Sequence, residues 1–93
     1  MVKRELIAML ARRHGEIKVK DVDLMVRLIF DSMSQAMVDG SDIELRGFGS
    51  FRLRTYSPRE ARNPGSGRKV RLDARRGVLF RPGLEMRERI NAG

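Results

Sequence analysis

The sequence is 93 residues long, with twenty Lys and Arg against twelve Asp and Glu, a formal net charge of +8 and a pI near 11.2. Such a length allows one domain with a modest core, and such a charge favours a polyanionic partner: DNA, RNA or an acidic membrane surface. The absence of cysteine excludes disulfide frameworks, thiolate metal sites and cysteine nucleophiles, as suits a reducing cytoplasm. No apolar run is long enough for a membrane span, and the N-terminus lacks the apolar core of a signal peptide, so a soluble, cytoplasmic protein that spans no membrane is expected.

Val2 to Arg13 carries Val2, Leu6, Met9 or Leu10 and Arg13 at helical spacing. Gly15 is a natural stop, and His14 at the helix end suits a partner for the helix dipole. From Lys20 to Val38, an apolar stripe of Val22, Met25, Val26, Ile29, Met33, Ala36 and Met37 is closed by Gly40. Leu24, Leu28 and Phe30 widen it beyond one face. The first helix and one sheet face cannot cover both sides of so broad a stripe, so a dimer is predicted, with Met25, Met33 and Met37 in its core.

Asp42 to Arg46 alternates as a short strand, Ile43 and Leu45 inward and Glu44 and Arg46 outward. Gly47-Phe48-Gly49 makes a tight connection into a second strand, where Phe51 and Leu53 share one face and Arg52, Arg54 and Tyr56 the other. Phe48, Phe51 and Phe80 are predicted in the core, while Tyr56 faces the basic side, free to stack or to hydrogen-bond. Arg62-Asn63-Pro64-Gly65-Ser66-Gly67 reads as a turn-rich tip, because proline cannot donate to a ladder and the glycines supply turn conformations. The chain then returns through Lys69-Val70-Arg71-Leu72 and Gly77 to Arg81, and Pro82-Gly83 breaks the strand. Leu84 to Ile90 forms a short final helix, with Glu85 near its start and Arg87 and Arg89 toward its end. The predicted class is α+β: two N-terminal helices, a three-stranded antiparallel sheet with a long β-ribbon arm, and a short C-terminal helix.

Between Arg46 and Arg81 there are eleven basic residues and two acids, Glu60 and Asp73; the rest of the chain has nine basic and ten acidic residues. The whole surplus therefore lies in the ribbon region, whereas a merely solubilising charge would spread over the helices too. Arg52, Arg54, Arg59, Arg62, Arg68, Lys69, Arg71, Arg75 and Arg76 are candidates for phosphate and minor-groove contacts, where arginine is drawn to the enhanced negative potential. A positive ribbon ending in an apolar proline suits a wedge pressed against a base step, although Pro64 also serves as a plain turn residue. Arg81 and Gly83 either end a strand and begin a helix or frame a phosphate site at that helix's N-terminus.

Three segments, Arg46-Gly47-Phe48-Gly49-Ser50-Phe51, Arg62-Asn63-Pro64 with Gly65 and Gly67, and Phe80-Arg81-Pro82-Gly83, occur in the order and at the separations of the bacterial HU and integration host factor family of DNA-bending proteins. The resemblance covers essentially the whole chain. It implies one domain over residues 1–93: a helical dimerisation body (1–40), a sheet and DNA-binding arm (41–83), and a C-terminal helix and tail (84–93). It implies an intertwined dimer, either with itself or with an alpha-type family member, nucleoid association, and a role in recombination, replication and transcription. Within the family, Ile43 to Phe51 resembles the beta subunit of integration host factor more than a typical HU chain, which implies that Arg46 and Glu44 help to read sequence; otherwise they form a surface pair of little consequence.

By the same resemblance, Pro64 intercalates between base pairs, with Asn63 beside it in the DNA-binding tip. Where the family often has a serine or threonine at the start of the first helix, this chain has Val2-Lys3-Arg4, leaving Lys3 and Arg4 as possible ionic substitutes on phosphate. Glu60, close to the tip, opposes phosphate unless it pairs with Arg59 or Arg62. The alternatives are a general HU-like compactor without sequence preference and an RNA-binding module, for which a proline wedge has little use on an A-form helix. With one histidine, no cysteine, no paired carboxylates and no metal-ligand spacing, neither catalysis nor a metal or cofactor is expected.

Overall fold

The apolar repeats become helices close to the predicted spans: α1 (Lys3–Arg13) and α2 (Val19–Val38) in a computed structural model that describes residues 1–93. Val2 caps α1. Valine has no side-chain acceptor, so only the reciprocal half of a capping box forms, with the Val2 N–H donating to Glu5 Oε2 at 3.4 Å. The helix ends at His14, whose N–H donates to the Leu10 carbonyl at 3.0 Å and whose Nδ1 lies 3.5 Å from Glu16 Oε1. In α2, Asp21 in the first turn complements the helix dipole.

Met1–Val38 and Asp39–Gly93 are two compact units. In the helical unit only Val22 and Val26, one turn apart on α2, are buried. Leu24, Met25, Leu28, Ile29 and Phe30 remain between 41% and 58% exposed, so the chain alone does not cover the wide apolar stripe. No helix is long and apolar enough to cross a membrane.

In the second unit, β1 (Ile43–Leu45), β2 (Gly49–Tyr56) and β5 (Arg75–Pro82) form an antiparallel sheet in the order β1-β2-β5, while β3 (Arg59–Arg62) and β4 (Lys69–Leu72) form a separate two-stranded ribbon. Phe51 stands opposite both Ile43 and Phe80, and Leu53 opposite Val78. Strand alternation therefore gathers Ile43, Leu45, Phe51, Leu53, Val78 and Phe80 on one face and Arg52, Arg54, Tyr56, Arg75 and Arg81 on the other.

The Phe80 ring packs against Phe51 (centroids 4.8 Å apart) and Phe48 (5.6 Å). Contrary to the expectation of a buried trio, Phe48 is 45% and Phe80 38% exposed. The rings cover one another, but a three-stranded sheet needs a further layer to enclose them.

The first strand is shorter than its alternation suggests, because Arg46 enters the turn and Asp42 leaves the ladder. The Asp42 carboxylate takes over where β1 runs out: the Leu53 N–H donates to Oδ1 at 2.9 Å, and Arg52 Nη1 lies 3.6 Å from Oδ2. Gly47 turns the chain at φ +83°, in the left-handed region, with the Phe48 N–H donating to the Leu45 carbonyl at 2.8 Å. Gly49 is required for a different reason: a Cβ there would fall 2.6 Å from the Arg81 carbonyl oxygen and 2.7 Å from the Phe80 ring. The final helix, α3 (Leu84–Ala92), carries Glu85 in its first turn and Arg89 in its last, as its dipole favours.

Candidate nucleic-acid interface

The β3–β4 hairpin closes between Asn63 and Arg68. The Asn63 N–H donates to the Arg68 carbonyl and the Gly67 N–H to the Asn63 carbonyl, each at 2.8 Å, while the Gly65 N–H donates to Asn63 Oδ1 at 2.8 Å. Asn63 thus ties the loop from below through its backbone and its side chain. Gly67, at φ +69°, provides the left-handed residue that returns the chain to β4. Pro64 follows Asn63 at the point where the missing N–H costs no ladder bond, and it stands exposed at the tip.

Along the ribbon Arg59 pairs with Leu72, Glu60 with Arg71, Ala61 with Val70 and Arg62 with Lys69. One side therefore presents Arg62, Lys69 and Arg71 around a single acid, while the other carries Ala61, Val70 and Leu72 with Arg59. Glu60 stands across from Arg71 in the register, where opposite charges are favourable neighbours. Arg68 lies just beyond the tip, its N–H donating to Ser66 Oγ at 3.3 Å.

On the polar face of the main sheet, Arg75 at the end from which the ribbon leaves is followed along the ladder by Arg54, Arg52 and Arg81, with Glu44 opposite Ser50 at the far end. Arg75 stacks on Tyr56, its guanidinium carbon 5.4 Å from the ring centroid. Arg76 does not join this group: it pairs with Thr55 on the other face, and its Nη2 would lie 3.9 Å from a Cβ placed on Gly40. Arg46 sits in the turn after β1.

Lys3 and Arg4 belong to the helical unit, in the first turn of α1, where cations oppose the helix dipole and bring no structural gain. With Ile7, Ala8, Asp23 and Arg27 they line an open groove between α1 and α2 of about 460 Å³. Arg81 ends the polar face next to Gly83, whose N–H is already engaged by the Phe48 carbonyl at 2.9 Å. The amides of Leu84, Glu85 and Met86 are then the first-turn donors left without an intrahelical partner.

Two contacts escaped the sequence reading: that of Asp42 with Arg52 and the free edge of β2, and the choice of Arg75 as partner for Tyr56, which the sequence places only on the basic side. Both depend on register between strands distant in sequence, which alternation alone does not give. No cluster of three or more His, Asp or Glu side chains is arranged to hold a metal ion.

A family model described as bacterial DNA-binding protein matches residues 1–91. The integration host factor subunit beta of Herminiimonas arsenicoxydans is 49% identical over 92 residues, covering 99% of this chain and 91% of that protein. The subunit of the same name from Azotobacter vinelandii is 45% identical over 91 residues, covering 98% of this chain and 99% of that one. Among solved structures, an Anabaena HU–DNA cocrystal structure matches over 100% of both chains with a TM-score of 0.86 and 30% identity. An HU variant from Thermotoga maritima matches with a TM-score of 0.68 and 32% identity, over 97% of this chain and 99% of that one.

Proposed function

Because this chain belongs to the bacterial DNA-binding protein family, we propose that it is an architectural subunit of integration host factor beta type, which binds double-stranded DNA through the minor groove and bends it. The observation that carries this proposal is the β3–β4 ribbon, basic along its length and ending in the exposed Pro64. Arginines of the ribbon and of the sheet's polar face hold phosphates, and Asn63 keeps the tip closed while Pro64 wedges into a base step. Unstacking that step costs on the order of a few kcal/mol, offset when the bent duplex gains contacts with the protein body.

The exposed apolar side of α2 is the dimer surface, residues 1–40 forming the helical body of an intertwined dimer. Residues 41–83 form the sheet and arm, and 84–93 the closing helix. The partner is a second copy or an alpha-type chain, and two prolines then give two kinks. Lys3, Arg4, Arg46 and Arg81, with the first turn of α3 beyond Gly83, extend the phosphate contacts. Glu44 and Arg46 give a partial sequence preference, as befits likeness to integration host factor beta subunits at 45–49% identity. The protein works on the nucleoid, in recombination, replication and transcription, without catalysis.

Energy transfer across an end-labelled duplex of about 35 base pairs, comparing the natural protein with Pro64→Ala, tests the wedge. The bend should fall markedly while affinity changes less, since the phosphate contacts remain. Equal bend angles in the two proteins would refute the wedge.

A further inference from the structure

The β2–β5 ladder ends at the Tyr56–Arg75 rung, and pairing resumes in the ribbon at Arg59–Leu72. Between them Ser57-Pro58 runs opposite Asp73-Ala74 without ladder pairing, and Pro58 has no N–H to offer. A two-stranded ribbon is marginal by itself, so what steadies the arm at this joint must come from side chains at the last rung. There the Arg75 guanidinium lies over the Tyr56 ring, 5.4 Å from its centroid. The ring leans back along the sheet over Gly77: a Cβ on that glycine would approach Tyr56 Cε2 to 3.1 Å. Tyr56 and Arg75 share the face of Arg52, Arg54 and Arg81.

We propose that Tyr56 is a positioning residue for DNA bending: it holds Arg75 oriented at the root of the arm and, braced over Gly77, sets how the ribbon leaves the sheet. The proposal rests on the DNA-bending function given above. An arginine already stacked on a ring has less conformational freedom to lose when it meets a phosphate, and an arm already directed has less to lose when it enters a groove.

The test uses the full chain, with energy transfer across an end-labelled duplex of about 35 base pairs, and the variants Tyr56→Ala, Tyr56→Phe, Gly77→Ala and Arg75→Ala. Tyr56→Ala should lower the population of the bent complex about two- to five-fold, the size of an exposed cation–π contact. Tyr56→Phe keeps the ring face and should match the natural protein, while Gly77→Ala displaces the ring and should resemble Tyr56→Ala. In the Arg75→Ala background, Tyr56→Ala should add little. Equal damage from Tyr56→Phe and Tyr56→Ala, or effects of Tyr56→Ala and Arg75→Ala that simply multiply, would overturn the proposal.

A second readout needs no DNA. Tyr56 is the only tyrosine and there is no tryptophan, so intrinsic emission reports this ring alone. Arg75→Ala should alter that emission in the free protein, and unchanged emission would overturn the stack. If the natural protein binds but bends no duplex, the DNA-bending function fails and the role in bending fails with it. Normal bending by the natural protein together with undiminished bending by Tyr56→Ala overturns the positioning role alone.

Discussion

Helix α2 and the β3–β4 ribbon are both largely exposed, but they expose different things. On α2 the uncovered groups are Leu24, Leu28 and Ile29, each more than half exposed. On the ribbon they are mainly Arg59, Arg62, Lys69 and Arg71, with Val70 the one large apolar side chain exposed. An uncovered apolar helix face is satisfied by another apolar surface, through area removed from water. A row of arginines is satisfied by phosphate, through charge and counterion release. One chain thus carries two incomplete surfaces that call for partners of different chemistry, and each should respond to a perturbation the other ignores.

Salt separates them most strongly. If about eight phosphates are neutralised, the slope of log affinity against log salt should be roughly −7, a loss of about 10³- to 10⁵-fold between 50 and 200 mM. Association of the chains through α2 should change little over that range. Titration of a labelled duplex at several salt concentrations, with sedimentation of the free protein alongside, measures both; a flat salt response of DNA binding would contradict the electrostatic account.

Leu28→Glu attacks the other surface. Burying one leucine is worth roughly 1.5–3 kcal/mol, the loss is met in both chains of a homodimer, and a buried carboxylate adds to it. Self-association should weaken by at least about 100-fold, with the melting temperature falling and becoming concentration-dependent. Sedimentation at micromolar concentration would show monomers. An unchanged molar mass would mean that the chains do not associate through this face of α2.

Much of this layout is legible in the sequence because it rests on local rules. The stripe of α2 is a repeat of 3.6, the strands are alternations of two, and the tip is announced by Asn63-Pro64-Gly65. Less legible is whatever depends on which residue faces which. Glu60 has basic neighbours on every side in sequence, and only the register selects Arg71. Phe48 and Phe80 have the chemistry of core residues, but composition does not tell whether one chain or two supplies the cover. Gly49 is another such case: the sequence predicts a glycine for the tight connection, while the structure shows one needed because Phe80 and the Arg81 carbonyl occupy the place of its Cβ. Gly49→Ala should therefore cost about 1–3 kcal/mol by overpacking, lowering the thermal midpoint by some degrees. A melt indistinguishable from the natural protein's would show that the sheet yields there.

The smallest expected effect joins stability and binding at one residue. Asp42 accepts the Leu53 N–H at 2.9 Å and lies 3.6 Å from Arg52. Asp42→Ala removes the acceptor from the free edge of β2, at a cost of roughly 0.5–1.5 kcal/mol, the lower end being apt for an exposed site. It also frees Arg52 and removes a negative charge beside it; an exposed ion pair is worth only about 0–1 kcal/mol, and both side chains are more than half exposed. The released guanidinium should raise DNA affinity a few-fold while the melting temperature falls slightly. Asp42→Asn keeps a carbonyl acceptor for Leu53 but not the charge, so it should retain most of the stability and still show the gain in affinity. Denaturation and titration of the two variants side by side therefore separate the carboxylate's structural use from its restraint on Arg52. Unchanged affinity in both would place Arg52 off the DNA and confine the basic surface to the arm.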